Sequence, residues 1–415
     1  MSIPNIPIYW RSVSYVATGA AISQILPVLG SFIISRLYIP DDFGTFSVWL
    51  GLVSLAATVV TGRYETALPI VKDGNMRRVS MLAVLFTASL CSLLLCLASL
   101  ILTPFFSNIA NSISILLFVL FFPASLSMAF FSAWQSWAAA EGLYSKLSYI
   151  RIAQAGMVVL LQIGFGLIRP SAEAMGLGFL FGNITALIFC IYLMPIRLVG
   201  FSRLLKRTRV FWARYSNFFK FSLPADAINT AAAQIPVLIV AARFGADIAG
   251  LLAMTMRILG APIGLLGKSV LDVFKRHAAI SYRERGECRA DYVRTFRILA
   301  IASLGSCLVM ASVSESFFAL AFGENWRGAG TIAVWLLPLF ALRFIASPLS
   351  YMVYIAGKQH VDLVWQVALL AMTIAALNIP FYGHDIALQA YSAGYSLLYI
   401  VYLAMSYRFS LGNRR

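Results

Sequence analysis

The sequence is poor in charge, and poorest in acids: Asp and Glu total 16 in 415 residues, and charged side chains are only 12%. An ordinary soluble protein carries roughly 25%, and so few charges cannot cover a water-facing surface. Histidine is limited to three residues and cysteine to five, an odd number with no CxxC pair. That excludes a disulfide framework and a cysteine-based metal site. Cys91, Cys96, Cys190 and Cys307 lie in apolar runs and Cys288 in a polar loop. No GxxxxGK[ST], HExxH or GxSxG occurs, and His277, His360 and His384 are scattered. The residues therefore offer no nucleotide-hydrolysis motif and no constellation of acid, base and metal. The expectation is a protein that is not an enzyme and needs no cofactor or metal.

What is abundant is apolar surface, 60% of the chain. Twelve spans of about 20 residues would use about 240 positions, close to that fraction, so the fold class read here is an all-α polytopic membrane protein. A transmembrane barrel would show ten-residue alternating segments instead. Spans are expected at 12–35, 43–69, 79–102, 113–140, 147–168 and 173–195, then at 218–243, 247–272, 293–314, 328–356, 362–382 and 386–407. A turn at Thr103-Pro104…Asn108…Asn111-Ser112 separates the third from the fourth. The first apolar run is too long for a cleaved signal, so it reads as a span.

Charge sets the orientation. Of the 32 Lys and Arg, Arg36, Arg169, Arg243 and Arg327 fall on one side and Arg63, Arg257, Lys268 and Arg343 inside spans; the other 24 occupy alternate segments on the opposite side. The positive-inside rule makes that side cytoplasmic and puts both termini there. The same rule explains the net charge of +16 without a nucleic-acid partner.

A basic stretch, 196–217, divides the chain into an N-terminal six-helix bundle (1–195) and a C-terminal one (218–415). The two halves open alike. Arg36 precedes Pro40-Asp41-Asp42-Phe43-Gly44 and, later, Gly62-Arg63; Arg243 precedes Gly245-Ala246-Asp247-Ile248-Ala249-Gly250 and, later, Gly267-Lys268. The preceding helices carry Pro27 and Pro236. Such weak internal symmetry is what duplicated transporters retain.

Ionisable residues at mid-membrane cost roughly 2.5–3.5 kcal/mol on insertion scales, so each needs a cavity or a partner. Arg257 and Lys268 are 11 residues apart, on one helix face and about 16 Å from each other, beside Gly260 and Gly264. Either both line an anion-attracting groove, or Lys268 pairs with Asp272 and snorkels to the interface. Gly51, Ser54, Thr58, Thr61 and Glu65 form one polar face of the second span, with Arg63 pointing elsewhere. Glu65 is either a proton or cation site or an interfacial carboxylate. Arg343, Ser347, Ser350, Tyr351 and Tyr354 make a polar stripe on the tenth span. Asp226, in the seventh, either neutralises a neighbouring arginine or binds a coupling cation. Gln24, Ser31, Ser35 and Gln154 either add uncharged polar groups to the stripes inside the membrane or make helix–helix hydrogen bonds.

The segments Ile33-Ile34-Ser35-Arg36-Leu37-Tyr38-Ile39-Pro40-Asp41-Asp42-Phe43-Gly44 and Gly62-Arg63-Tyr64-Glu65-Thr66-Ala67-Leu68-Pro69 resemble the Wzx-type O-antigen flippases, polysaccharide exporters of the multidrug/oligosaccharidyl-lipid/polysaccharide superfamily. The resemblance implies two pseudo-symmetric six-helix bundles around a central cavity in the bacterial inner membrane. It also implies translocation of an undecaprenyl-pyrophosphate-linked oligosaccharide, an O-antigen or other lipopolysaccharide repeat unit, from the cytoplasmic to the periplasmic leaflet. Polymerase and chain-length proteins of the same pathway are the partners it suggests, beside membrane lipids. The cationic cavity of such proteins fits Arg63, Arg257, Lys268 and Arg343, with Glu65, Asp226 and Asp272 as coupling or ion-pair acids.

The main alternative is a cation-coupled drug or small-solute antiporter of the same superfamily, which would favour acids in the cavity. A major-facilitator carrier is disfavoured by Lys72-Asp73-Gly74-Asn75-Met76-Arg77-Arg78, a poor match to GxxxDRxGRR. A polymerase or ligase of the pathway would carry a large external loop, which is not seen.

Overall fold

The computed structural model describes residues 8–72, 74–102, 114–196, 200–380 and 383–412. The turn expected at 103–112, with Arg197, Arg414 and Arg415, lies outside the described residues, as do the side chains of Arg11, Arg203, Lys268 and Asp272. Among the described residues every regular element is helical. Twelve helical segments among the described residues are long and apolar enough to cross a membrane. Large apolar side chains face outward, among them Ile115, Leu167, Ile168, Ile301 and Leu320, each more than 70% exposed. Surface of that kind belongs against lipid tails. The chain is a multi-pass membrane protein.

The helices are α1 (Ile8–Leu37), α2 (Pro40–Val60), α3 (Asn75–Leu102), α4 (Ile115–Ala140), α5 (Tyr144–Ile168), α6 (Ala172–Leu193), α7 (Phe201–Arg214) and α8 (Leu223–Phe244). They continue as α9 (Ala246–Pro262), α10 (Lys268–Arg285), α11 (Arg289–Phe322), α12 (Arg327–Leu349), α13 (Met352–Ile355), α14 (Gln359–Leu377) and α15 (His384–Ser410). Wider π turns, Phe218–Ser222 and Ile263–Gly267, lead into α8 and join α9 to α10. Each lies within two residues of a proline, Pro224 or Pro262, whose missing N–H frees a carbonyl of the preceding turn.

The chain forms two compact units: Met1–Tyr38 with Thr45–Gln234, and Ile39–Gly44 with Ile235–Arg415. In the first unit α5 and α6 approach closely, because a Cβ on Gly178 would fall 2.6 Å from the Gln162 nitrogen and one on Gly182 2.7 Å from the Val158 nitrogen. Small residues let membrane helices gain dispersion contact where no hydrophobic force drives association. Tyr38 donates to the Gln162 carbonyl at 2.7 Å, and the Trp49 indole donates to the Leu117 carbonyl at 2.8 Å. Gln154 bonds Asn183 at 3.2 Å, the interhelical one of the two roles open to it from sequence. α7, inside the stretch read from sequence as a linker, rests on α3, with the Trp212 indole donating to Thr87 Oγ1 at 2.8 Å.

In the second unit α12 is the centre, packed against α9, α11 and α15. Thr255 donates to the Ala329 carbonyl at 2.8 Å, and Tyr292 Oη lies 2.7 Å from Ser406 Oγ. The first turn of α2 belongs here, with Phe43 edge-on to Trp326 at 5.4 Å. α11 has 34 residues, about 51 Å of helix against roughly 30 Å of hydrocarbon, so it extends beyond the bilayer. It ends at Phe322 rather than near 314.

Candidate functional site

The second span does not run to residue 69. Its helix stops at Val60, Gly62 and Arg63 both take left-handed backbone (φ 59° and 58°), and a tight 3₁₀ helix, Tyr64–Ile70, follows. Arg63 is the one non-glycine residue with positive φ among the described residues, a conformation that needs support from its surroundings. Support comes from Thr61 Oγ1, which accepts the Arg63 N–H at 3.2 Å, and from Thr66 Oγ1, which donates to the Arg63 carbonyl at 2.6 Å.

This break brings Arg63 and Glu65 together, where uniform helical spacing separates them. Arg63 Nη1 lies 3.1 Å from Glu65 Oε1, and Arg63 Nε lies 2.6 Å from Asp226 Oδ2. Asp226 thus neutralises a neighbouring arginine, one of the two roles open to it from sequence. Glu65 is 2% exposed, and its Oε2 has no hydrogen-bond partner among the described residues. Burial pushes its carboxyl above the ordinary glutamate range, with Arg63 pulling the other way. With both acids ionised, the trio carries a net negative charge, so Arg63 is not presented as an open cation. On the expected polar face of α2, Ser54 and Thr58 are half-buried and donate to carbonyls one turn back in their own helix.

The cations of the second unit are arranged differently. Arg257 is half-buried, its guanidinium carbon 5.0 Å from the centre of the Phe43 ring. Thr255 meets Ala329, a Cβ on Gly260 would meet Phe340 at 3.8 Å, and one on Gly267 would meet Ser347 at 3.7 Å. α9 and α12 therefore run side by side in one direction, and Arg343 sits between the levels of Gly260 and Gly267. Arg343 is half-buried and makes no hydrogen bond or ion pair among the described residues. Its helix, α12, packs along α15, which carries Tyr391, Tyr395 and Tyr399.

Those tyrosines form a stack that the sequence reading passed over: ring centres are 5.2 Å apart for Tyr391–Tyr395 and 5.4 Å for Tyr395–Tyr399. Trp365 continues it, 5.2 Å from Tyr399 and 4.5 Å from Tyr402, and the Tyr402 hydroxyl donates to Asp362 at 2.9 Å. The signal was the spacing 391, 395, 399 and 402, one helix face.

Arg257 and Lys268 do not share a face of one uniform helix. The π turn Ile263–Gly267 between them takes up an extra residue, which turns the two positions apart by roughly 100°. The polar stripe on the tenth span also breaks: α12 ends at Leu349, and Tyr354 lies on α13. Tyr351, between them, stacks under Lys275, with Nζ 4.7 Å from its ring centre. No group of three or more potential metal-ligating His, Cys, Asp or Glu occurs among the described residues. A 370 Å³ pocket lined by Ser114, Arg169, Ser171 and Glu173 contains none of these membrane cations.

A helical chain of this architecture is a multi-pass membrane protein, and its fold is shared by solved structures. An inward-closed structure of the lipid II flippase MurJ matches it with a TM-score of 0.73 at 15% identity, over 95% of this chain and 87% of that one. An inward-facing multidrug-resistance MATE transporter matches with 0.67 at 14% identity, over 93% and 94%. The chain belongs to the polysaccharide biosynthesis protein family, whose model matches residues 33–330. It is 23% identical over 158 residues to the teichuronic acid biosynthesis protein TuaB of Bacillus subtilis (strain 168); the match spans 38% of this chain and 33% of that relative's length.

Proposed function

We propose that this protein flips a lipid-linked, pyrophosphate-bearing oligosaccharide, with an undecaprenyl tail, from the inner to the outer leaflet of the bacterial cytoplasmic membrane. The observation that carries the reading is Arg343, a half-buried cation within a span that pairs with no acid among the described residues. An intramembrane guanidinium is costly unless water or an anion reaches it. Arg257, on the neighbouring parallel helix, supplies a second cation. A pyrophosphate is matched by guanidinium forks, which stay charged at any working pH.

The headgroup needs a hydrated cationic path, while the apolar tail remains in lipid throughout, so a lateral opening and alternating access suffice. No bond is made or broken, and the protein acts as a non-enzymatic carrier. Arg257 and Arg343 contact the phosphates. Arg63 is held by Glu65 and Asp226, and protonation of Glu65 would remove the net negative charge of the trio, which makes it the coupling element. The family and the teichuronic acid relative support a surface polysaccharide as the product class, wider than the O-antigen of lipopolysaccharide. Both termini are cytoplasmic, and the two six-helix bundles are 1–195 and 218–415, joined by 196–217.

The negative trio in the first unit favours one competing reading, a cation-coupled antiporter of cationic solutes. Reconstitution separates the two. Proteoliposomes holding the protein and a fluorescent undecaprenyl-pyrophosphate oligosaccharide should move the lipid between leaflets, and protein-free vesicles should not. Failure to move it, together with pH-driven uptake of cationic dyes, would replace the flippase reading with the antiporter.

A further inference from the structure

Helix α7 has two unlike faces. Thr208 and Phe211 are buried, and Phe211 packs on Tyr64 at 5.5 Å and on Tyr215 at 5.0 Å. The rest of its circumference exposes Leu205, Lys206, Arg207, Arg209, Val210 and Arg214, with Arg207 and Arg214 flanking Phe211. The hydrogen bond from Trp212 to Thr87 holds the helix on α3, so the exposed face keeps a fixed position beside the end of that span.

Between α7 and α3 lies a slot of about 220 Å³, lined by Met76, Val79 and Ser80 from α3 and by Arg207, Val210, Phe211, Arg214 and Tyr215. Arg207 and Arg214 are two turns apart and therefore on one side, about 10 Å from each other along the helix. Neither makes an ion pair among the described residues, and the lining holds no carboxylate. Val210, 65% exposed, and Met76, 42% exposed, continue its apolar wall outward.

We propose that this slot is a binding site for an anionic phospholipid: its phosphate sits between the Arg207 and Arg214 guanidiniums, and its first acyl carbons lie on Met76, Val79 and Val210. Two forks on one side provide bidentate phosphate contacts, and the apolar wall gives a lipid something that a free phosphate cannot use. The position suits the ligand, since α3 leaves the bilayer at this end, beside the exposed Arg78, and juxtamembrane basic segments attract anionic leaflets. The site is separate from Arg257 and Arg343, and its lipid is a resident of the membrane rather than cargo.

The test uses the full-length protein in neutral detergent, with phosphatidylglycerol as the probe and phosphatidylcholine as the control, read by native mass spectrometry. Wild type should retain phosphatidylglycerol preferentially. The double variant Arg207→Gln/Arg214→Gln should lose at least about ten-fold in apparent affinity. Lys206→Gln/Arg209→Gln, which removes the same charge from the same helix outside the slot, should change by less than about two-fold. Val210→Glu, at an exposed position, places a carboxylate between the arginines and should act like the first variant; it decides the matter if the double arginine variant does not purify as one species. Equal losses in both double variants would reduce the effect to general surface charge and overturn the site. Full displacement of phosphatidylglycerol by millimolar inorganic phosphate would overturn the lipid assignment.

Discussion

Gly44 and Gly250 stand nose to nose: a Cβ on Gly44 would fall 1.8 Å from the Ala246 carbonyl oxygen, and one on Gly250 would fall 1.9 Å from that of Pro40. These are equivalent glycines of the repeated opening motif, so the two copies of the motif pack against each other in a reciprocal way. The contact places Phe43 beneath Arg257, and so it sets the position of one proposed headgroup ligand.

Substituting either glycine should therefore do the reverse of what helix propensity predicts. Gly→Ala inside a helix ordinarily gains roughly 0.5–1 kcal/mol, but here the obstruction is backbone, which cannot swing aside. Gly44→Ala and Gly250→Ala should each cost about 1–3 kcal/mol or more. A lower midpoint of thermal aggregation in detergent checks this; an unchanged or higher midpoint would refute the close contact.

Arg257→Ala and Arg343→Ala should abolish surface polysaccharide at normal protein levels, while the Lys versions keep part of the export. Lysine preserves the charge but loses the bidentate fork. Staining of cell-surface polymer beside quantitative immunoblotting reads both quantities. Full export by both alanine variants would remove these residues from the proposed site.

Glu65 carries a pH signature whose sign is fixed by its surroundings. Its folded carboxyl titrates above the unfolded one because burial penalises the charge. The stabilising contribution is thus fully present below the unfolded pKa and is lost as pH rises through the folded value. Glu65→Gln should therefore match wild type near pH 4 and be more stable at pH 8, by a few degrees in melting temperature. A variant less stable than wild type at pH 8 would show that the Arg63 pairing outweighs desolvation.

Arg77 and Arg78 count equally toward topology but not toward folding. Arg77 is 6% exposed and donates to the Val71 and Ala140 carbonyls at 3.0 Å each and to Glu141 at 3.2 Å, whereas Arg78 is exposed. Arg77→Ala should cost about 1.5–3 kcal/mol for the charge-assisted bonds it removes, and Arg78→Ala less than about 0.5 kcal/mol. Parallel thermal melts and protein yields separate them; equal losses would mean that the charge acts only through membrane orientation.

The twelve spans were legible because hydropathy accumulates over some 20 residues, and single exceptions do not erase it. Their ends were less so. The span expected at 293–314 continues to Phe322, and Glu315, just past the expected end, lies within α11 with its Oε1 accepting the Thr331 hydroxyl at 3.0 Å. α10 was hidden in a basic loop because a helix without a long apolar run gives no membrane signal; Gly286, at φ 73°, ends it. The Arg63–Asp226 pair joins residues 163 positions apart, and only tertiary packing reveals it. Arg63 beside Glu65 was misread for a local reason: periodicity assumes one helix, and the two left-handed residues at Gly62 and Arg63 end it.

The halves differ at the point where this knuckle occurs. In the first, the chain turns sharply after Val60; in the second, α9, the π turn and α10 continue from Ala246 to Arg285 without a break. Forty residues of helix make a strut of about 60 Å, roughly twice the hydrocarbon thickness. A load applied to its outer end, by a binding partner or by the membrane surface, bends the strut first at the π turn Ile263–Gly267, within two turns of Arg257. The strut's one soft joint is the π turn, so the second unit can be worked from outside the bilayer, and the first has no handle of that kind on its second span.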